Sequence, residues 1–206
     1  MRTAETVFSL CALFLIACLP VSASAEEADA DRIPLDRWLQ LDPIHFRLPA
    51  SPADGEPEGL DAAAEARRLD AEAGMPAEGD EVRVPEGSTR RWRTVAAEEG
   101  HVPDVPPAEG TDGALVYLVT YVETDRFTEA RLTVESPHTV RVLVDGTWKA
   151  CSAESPVDRP LATGTHALWM EVVRPAGAGG ENLLRAELSP SEADASIEIS
   201  SSPDHA

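Results

Sequence analysis

Five histidines, His45, His101, His138, His166 and His205, are the side chains best suited to move protons near neutral pH, and they are scattered along the chain. No two share the spacing of H-E-x-x-H, and no G-x-S-x-G stretch provides a nucleophile elbow. Adjacent carboxylates such as Glu26-Glu27 and Glu98-Glu99 could serve as general acid and base. They fall in stretches that read as loops, where charge is simply solvated. The sequence therefore nominates no catalytic residue, no metal ligand and no cofactor. His166, two residues after Gly164, reads as a strand-opening side chain bonded to backbone.

Aromatic side chains give a different lead. Trp92, Trp148 and Trp169 are the rings on which a sugar face could stack. Trp148 follows Asp145-Gly146 and precedes Lys149, so Asp145, Trp148 and Lys149 would combine a ring with two polar groups at one hairpin end. Trp169 is out of phase with Leu168, Met170 and Val172 and should face away from them. Core or inter-sheet packing accounts for the same rings.

A formal charge of −20 excludes the basic surface that nucleic-acid phosphates require, and it keeps a chain dispersed in water. Of three cysteines, Cys11 and Cys18 precede Ala25, leaving Cys151 without an intramolecular partner once a leader is removed. Cys151 then reads as a small buried residue. The beginning of the chain has the layout of a signal peptide: Arg2, an apolar run from Val7 to Ala17, then Ala23-Ser24-Ala25, with cleavage expected after Ala25. The run is shorter than the roughly 20 residues of a membrane-spanning helix. Leu15-Ile16-Ala17-Cys18 also fits a bacterial lipobox, with Cys18 as the lipidated mature terminus. Both readings place the protein outside the cytoplasm, with no transmembrane segment after signal removal.

The elements that would position any site are strands. Residues 26–33 form a charged, aperiodic lead-in, and 34–200 suit one domain with a β-rich core from 81 to 200 and a tail at 201–206. Trp38 to Leu48, interrupted by Asp42-Pro43, predicts an edge strand or a strand–turn–strand. Ala62 to Ala73, with Asp61 as N-cap and Gly74 as stop, predicts one short peripheral helix. The stretch from Glu98 to Gly113 reads as a long loop. Ala114 to Val122 is apolar on both faces, which predicts a strand buried on both sides. Val140, Val142 and Val144 alternate with Arg141 and run into Asp145-Gly146, a two-residue hairpin signal. That alternation puts Val142 inward, and it puts Arg141 in solvent, where Arg141→Asp should be nearly silent. Leu168, Met170 and Val172, then Leu184, Ala186 and Leu188, repeat the pattern. Seven to nine short strands of this kind predict a mainly β, antiparallel, jelly-roll-like sandwich.

From Ala114 to Leu188 the order of elements resembles galactose-binding-like and protective-antigen-like jelly-roll modules. The matching residues are the apolar strand Ala114–Val122, the alternating Arg126–Val134, the valine-x-valine-x-valine-Asp-Gly run Val140–Gly146, and Leu161-Ala162-Thr163-Gly164-Thr165-His166-Ala167-Leu168. Trp38-Leu39-Gln40-Leu41-Asp42-Pro43 is similar to the tryptophan-led strand that precedes such modules in exported bacterial proteins, with Asp42 in place of the usual glycine. The resemblance implies an accessory domain, often found before a β-propeller or hydrolase. It implies three roles: a module contacting a protein partner or adjacent domain, a carbohydrate-binding module, or the N-terminal piece of a larger secreted hydrolase. Glycan-binding relatives ligate calcium through paired aspartates before the valine-Asp-Gly strand, where this chain has Glu135-Ser136-Pro137-His138.

Overall fold

The computed structural model describes residues 32–48, 59–69, 74–178, 182–192 and 194–203. Ala25 and Cys18, and with them the expected cleavage and lipidation sites, lie outside the described residues. So do the first six positions of the lead-in and the last three of the tail.

Within the described residues the chain is an antiparallel β-sandwich with a single short helix. Its strands are β1 (Ile33–Pro34), β2 (Arg37–Leu41), β3 (Ile44–Phe46), β4 (Glu81–Arg83), β5 (Thr89–Ala96), β6 (His101–Pro103) and β7 (Gly113–Thr124). They continue as β8 (Thr128–Glu135), β9 (Thr139–Val144), β10 (Thr147–Ala150), β11 (Val157–Leu161), β12 (Gly164–Pro175), β13 (Asn182–Pro190) and β14 (Ile197–Ser200). The helix, α1, spans Leu60–Glu65. The smaller sheet runs β1-β13-β8-β11, with β6 also on β13. The larger sheet runs β10-β9-β12-β7-β2-β5-β4, with β3 and β14 also on β7.

The two sheets close over one dry layer. Val116, Leu118 and Val122 of β7, Val140, Val142 and Val144 of β9, and Leu168, Met170 and Val172 of β12 meet Leu132 and Val134 of β8 and Leu184, Ala186 and Leu188 of β13. Asp145-Gly146 makes the expected hairpin, with φ of 50° and 72° at its two positions, and β10 returns on β9 with Thr147 opposite Val144.

A second apolar layer covers the other face of the larger sheet. Leu115, Tyr117, Val119 and Tyr121 of β7 join Leu39, Leu41, Trp92, Trp169 and Val173 under Ala63, Ala64, Leu69 and Val84. This is why β7 is apolar on both faces: its even residues face the smaller sheet and its odd residues face α1 and the chain that follows. The smaller sheet's outer face is wet by contrast, carrying Glu129, Arg131 and Glu135 in solvent.

Four local expectations change. β2 lies between β7 and β5 rather than at an edge, and the strand–turn–strand form holds, with the break at Asp42-Pro43. α1 begins two residues early on Gly59 with no side-chain cap, and Asp61 turns its carboxylate to Arg141 instead. The supposed loop after Glu98 contains β6, because Glu99 and Gly100 both take positive φ, of 50° and 79°, and fold the chain back in two residues. A Cβ on Gly100 would sit 2.9 Å from the Ala186 carbonyl oxygen, so only glycine fits there. Finally, Val157–Leu161 forms β11 despite Pro160; as the outermost strand of its sheet it tolerates a proline.

Candidate functional site

Polar chemistry concentrates on the outer face of the larger sheet, beside β10. Pairing places Tyr117, Glu171 and Arg141 side by side across β7, β12 and β9, and Ala150 of β10 continues the row. Glu171 is fully buried there, in a stretch, Leu168–Val173, otherwise apolar on both faces. Such a carboxylate requires partners. Arg68, reaching down from beyond α1, donates to both its oxygens at 2.8 and 2.9 Å. Arg141 Nη1 donates at 2.9 Å, and the Tyr117 hydroxyl at 3.1 Å.

Four donors fill the acceptor capacity of one carboxylate. The Tyr117 oxygen in turn accepts the Leu69 backbone N–H at 2.9 Å. Burial, with the Glu171 charge beside it, pushes the Tyr117 hydroxyl far above its ordinary range, so it stays protonated. The hydrogen bonds to Glu171 hold the Arg68 guanidinium above its ordinary value against the opposing pull of burial. Arg141 Nη2 also meets Asp61 at 3.2 Å, which adds a second carboxylate to the two guanidiniums. A carboxylate so enclosed has no lone pair left for a substrate proton. The cluster fastens α1 and the following turn to the sheet.

Arg141 therefore does not stand in solvent as its alternation suggested. Its side chain is only 19% exposed and contributes to the buried cluster. The period-two pattern separates the faces correctly; the second face is dry because α1 covers it.

The proposed ligand residues fall into two places. Trp148 is half-buried at the rim of this cluster, its ring 6.0 Å from Tyr117 at 58° and 5.8 Å from the Arg68 guanidinium. Asp145 and Lys149 are exposed close by in sequence, at the hairpin turn and on β10. Trp169 is elsewhere in the outer layer, 8% exposed, with its ring edge-on to Trp92 at 5.5 Å. The structure thus keeps Asp145, Trp148 and Lys149 on one hairpin and sets Trp169 in packing. Sequence reasoning missed Glu171, Arg68 and Tyr117. The signal was a lone glutamate inside Leu168–Val173, where both neighbours on its own face are apolar.

A second concavity, an open depression of about 660 Å³, is lined by Ala96, Glu98, Glu99, His101, Pro103 and Asn182. His101 Nδ1 lies 3.1 Å from the Glu98 carbonyl oxygen. His166 lies 2.6 Å from the Ala162 carbonyl oxygen through Nε2, the backbone role its position implied. Among the described residues no three His, Cys, Asp or Glu side chains gather as a metal centre, and no helix is long and apolar enough to cross a membrane.

Cys151 is buried and unpaired, and desolvation pushes its thiol up to about 11. At pH 7.5 a thiol-specific disulfide reagent is expected to leave it unmodified in the folded protein. Full reaction should follow addition of denaturant, and rapid reaction under native conditions would refute its burial.

No family model, no curated protein and no solved structure matches the chain.

Proposed function

We propose that this chain is a non-catalytic, exported accessory module that contacts a protein partner or an adjacent domain through the β10 side of its larger sheet. The observation that carries this reading is the free edge at β10. Among the described residues β10 pairs with β9 alone. With a two-residue turn at Asp145-Gly146, the residues flanking the turn form the hydrogen-bonded pair, so the backbone groups of Trp148 and Ala150 point outward. An edge of that kind accepts a strand from another chain, and a half-buried tryptophan beside it supplies an aromatic anchor. Export rests on the leader-like beginning of the sequence, and the accessory role on the resemblance to jelly-roll modules.

A photo-crosslinking residue in place of Lys149 tests this in the native host. Covalent adducts with protein are expected at that position and absent when the residue replaces Glu129 on the wet face of the smaller sheet. Equal labelling at both positions would overturn the β10 assignment.

Carbohydrate binding is the second reading, favoured by the exposed Asp145 at the turn of the hairpin that carries the half-buried Trp148; Lys149, paired with the inward Val142, is on the other face of that hairpin. On that reading Trp148→Ala abolishes binding on a broad glycan array, by the loss of roughly 1–2 kcal/mol of ring contact. A wild-type protein silent across the array would exclude it.

A further inference from the structure

A second buried polar group lies three residues along β12 from Glu171, where the β8–β9 turn, the segment after β6 and the end of β12 meet. Arg174 of β12 grips Asp104 with two hydrogen bonds, Nε at 2.7 Å and Nη2 at 2.6 Å. His138, at the β8–β9 turn, has a side chain with no solvent exposure, and neither ring nitrogen has a hydrogen-bond partner. Its Nε2 stops 3.9 Å from Asp104 Oδ1, too far for a hydrogen bond. The imidazole is therefore sealed in beside a carboxylate already committed to a guanidinium. Nearly all buried polar side chains find a partner, and one that does not marks stored strain or a functional role.

We propose that His138 is a proton-operated latch: neutral, it seats the β8–β9 turn against Asp104 and Arg174, and protonated, it releases that turn. The charged groups facing the ring are Arg174 from β12 and Asp104 from the segment after β6. From β13 the contact is a backbone one, with the Ser136 hydroxyl donating to the Leu183 carbonyl at 2.7 Å. On its own turn, Glu135 is exposed on the wet face, opposite Arg185.

An imidazolium here would place two cations against one carboxylate, with the ring closed off from solvent. The ring must then leave for solvent, and little holds the turn back. The His138 N–H donates to Ser136 Oγ at 3.1 Å, and Ser136 is tied only to Leu183. Desolvation first, then the Arg174 charge, draw the imidazole below its ordinary value, while Asp104 partly opposes them. The sign follows. Above the ordinary histidine range both folded and opened forms are neutral and the turn is fully seated. As pH falls through that range the opened form binds the proton first, and the seated form is progressively lost.

His45 is also drawn down by burial and by Arg90, so global melting alone cannot isolate His138. The test is an NMR titration of the full chain from about pH 7.5 to about pH 5, following the His138 ring and the amide exchange of Ser136, His138 and Thr139 together. Expected is a ring titrating below its ordinary value, with exchange at these three amides, corrected for the intrinsic rate, rising about tenfold per pH unit in that window. In His138→Leu the same amides should show no such rise. A wild-type ring that titrates at or above its ordinary value, or exchange that rises equally in the variant, would overturn the latch. Should His138→Leu not fold, the wild-type titration and exchange decide alone.

Discussion

Val142→Asp should remove a large part of the protein's stability at neutral pH. Val142 is fully buried between the sheets, opposite Met170 of β12 on one side and Lys149 of β10 on the other. The substitution removes a side chain whose burial contributes about 1.5–3 kcal/mol. It also brings a carboxylate into an apolar layer, where the only cation across the pair is Lys149, itself exposed on the edge strand. That group escapes only by protonating or by dragging water inward, at several kcal/mol in either case. The combined loss of roughly 4–5 kcal/mol approaches the whole stability of an ordinary domain. Because a buried Asp has a raised folded-state pKa, its penalty shrinks as the group protonates, so the variant should recover part of its denaturation midpoint in mild acid. A midpoint equal to wild type at neutral pH would mean that Val142 faces water.

The second large effect belongs to Glu171. Glu171→Ala leaves two guanidiniums and the Tyr117 hydroxyl around an empty space in the outer layer. Breaking one side of a buried ion cluster costs about 3–5 kcal/mol. Arg68 and Arg141 each keep a fifth of their side chains in solvent, which places the loss near the lower end. Arg141→Asp, by the same geometry, is disruptive rather than silent, since it sets a third carboxylate beside Glu171 and Asp61. Replacing Glu171, Arg68 and Arg141 together by apolar residues of similar volume should cost less than Glu171→Ala alone. Urea denaturation of the four proteins checks the set. A triple variant weaker than Glu171→Ala would mean that the ion cluster contributes net stability beyond fastening the helix.

These two residues also mark where sequence reasoning succeeded and stopped. Val142 was legible because it lies in a run that alternates Val140, Val142 and Val144 and ends in Asp145-Gly146. Local pattern and turn chemistry agree there. The apolar run of β7 likewise announced a strand covered on both sides. Arg141 was misplaced because alternation says which residues share a face and nothing about what covers the far one. The cover is α1, a six-residue helix resting on Gly59 whose apolar stripe is little more than Ala63 and Ala64. Too few residues carry periodicity there for its burial to be read. β6 and β11 were hidden by their prolines and by a Glu-Gly turn that is less distinctive than Asp-Gly. Among the site residues, Trp148, Asp145 and Lys149 stay together because a hairpin is local. Glu171 and Arg68 come from positions 103 residues apart and could be joined only by the fold.

The pairing of Ile33 with Leu188 has a consequence for how the molecule is made. The smaller sheet takes its first strand from the start of the described chain and that strand's neighbour from near its end, while β14 adds to β7 later still. Contacts of such long sequence separation slow folding, because ends far apart must meet before either gains anything. A nascent chain lacking β13 holds only the β1 half of that seam. The smaller sheet should therefore close only after β13 has been made, later than the strands of the larger sheet that precede it.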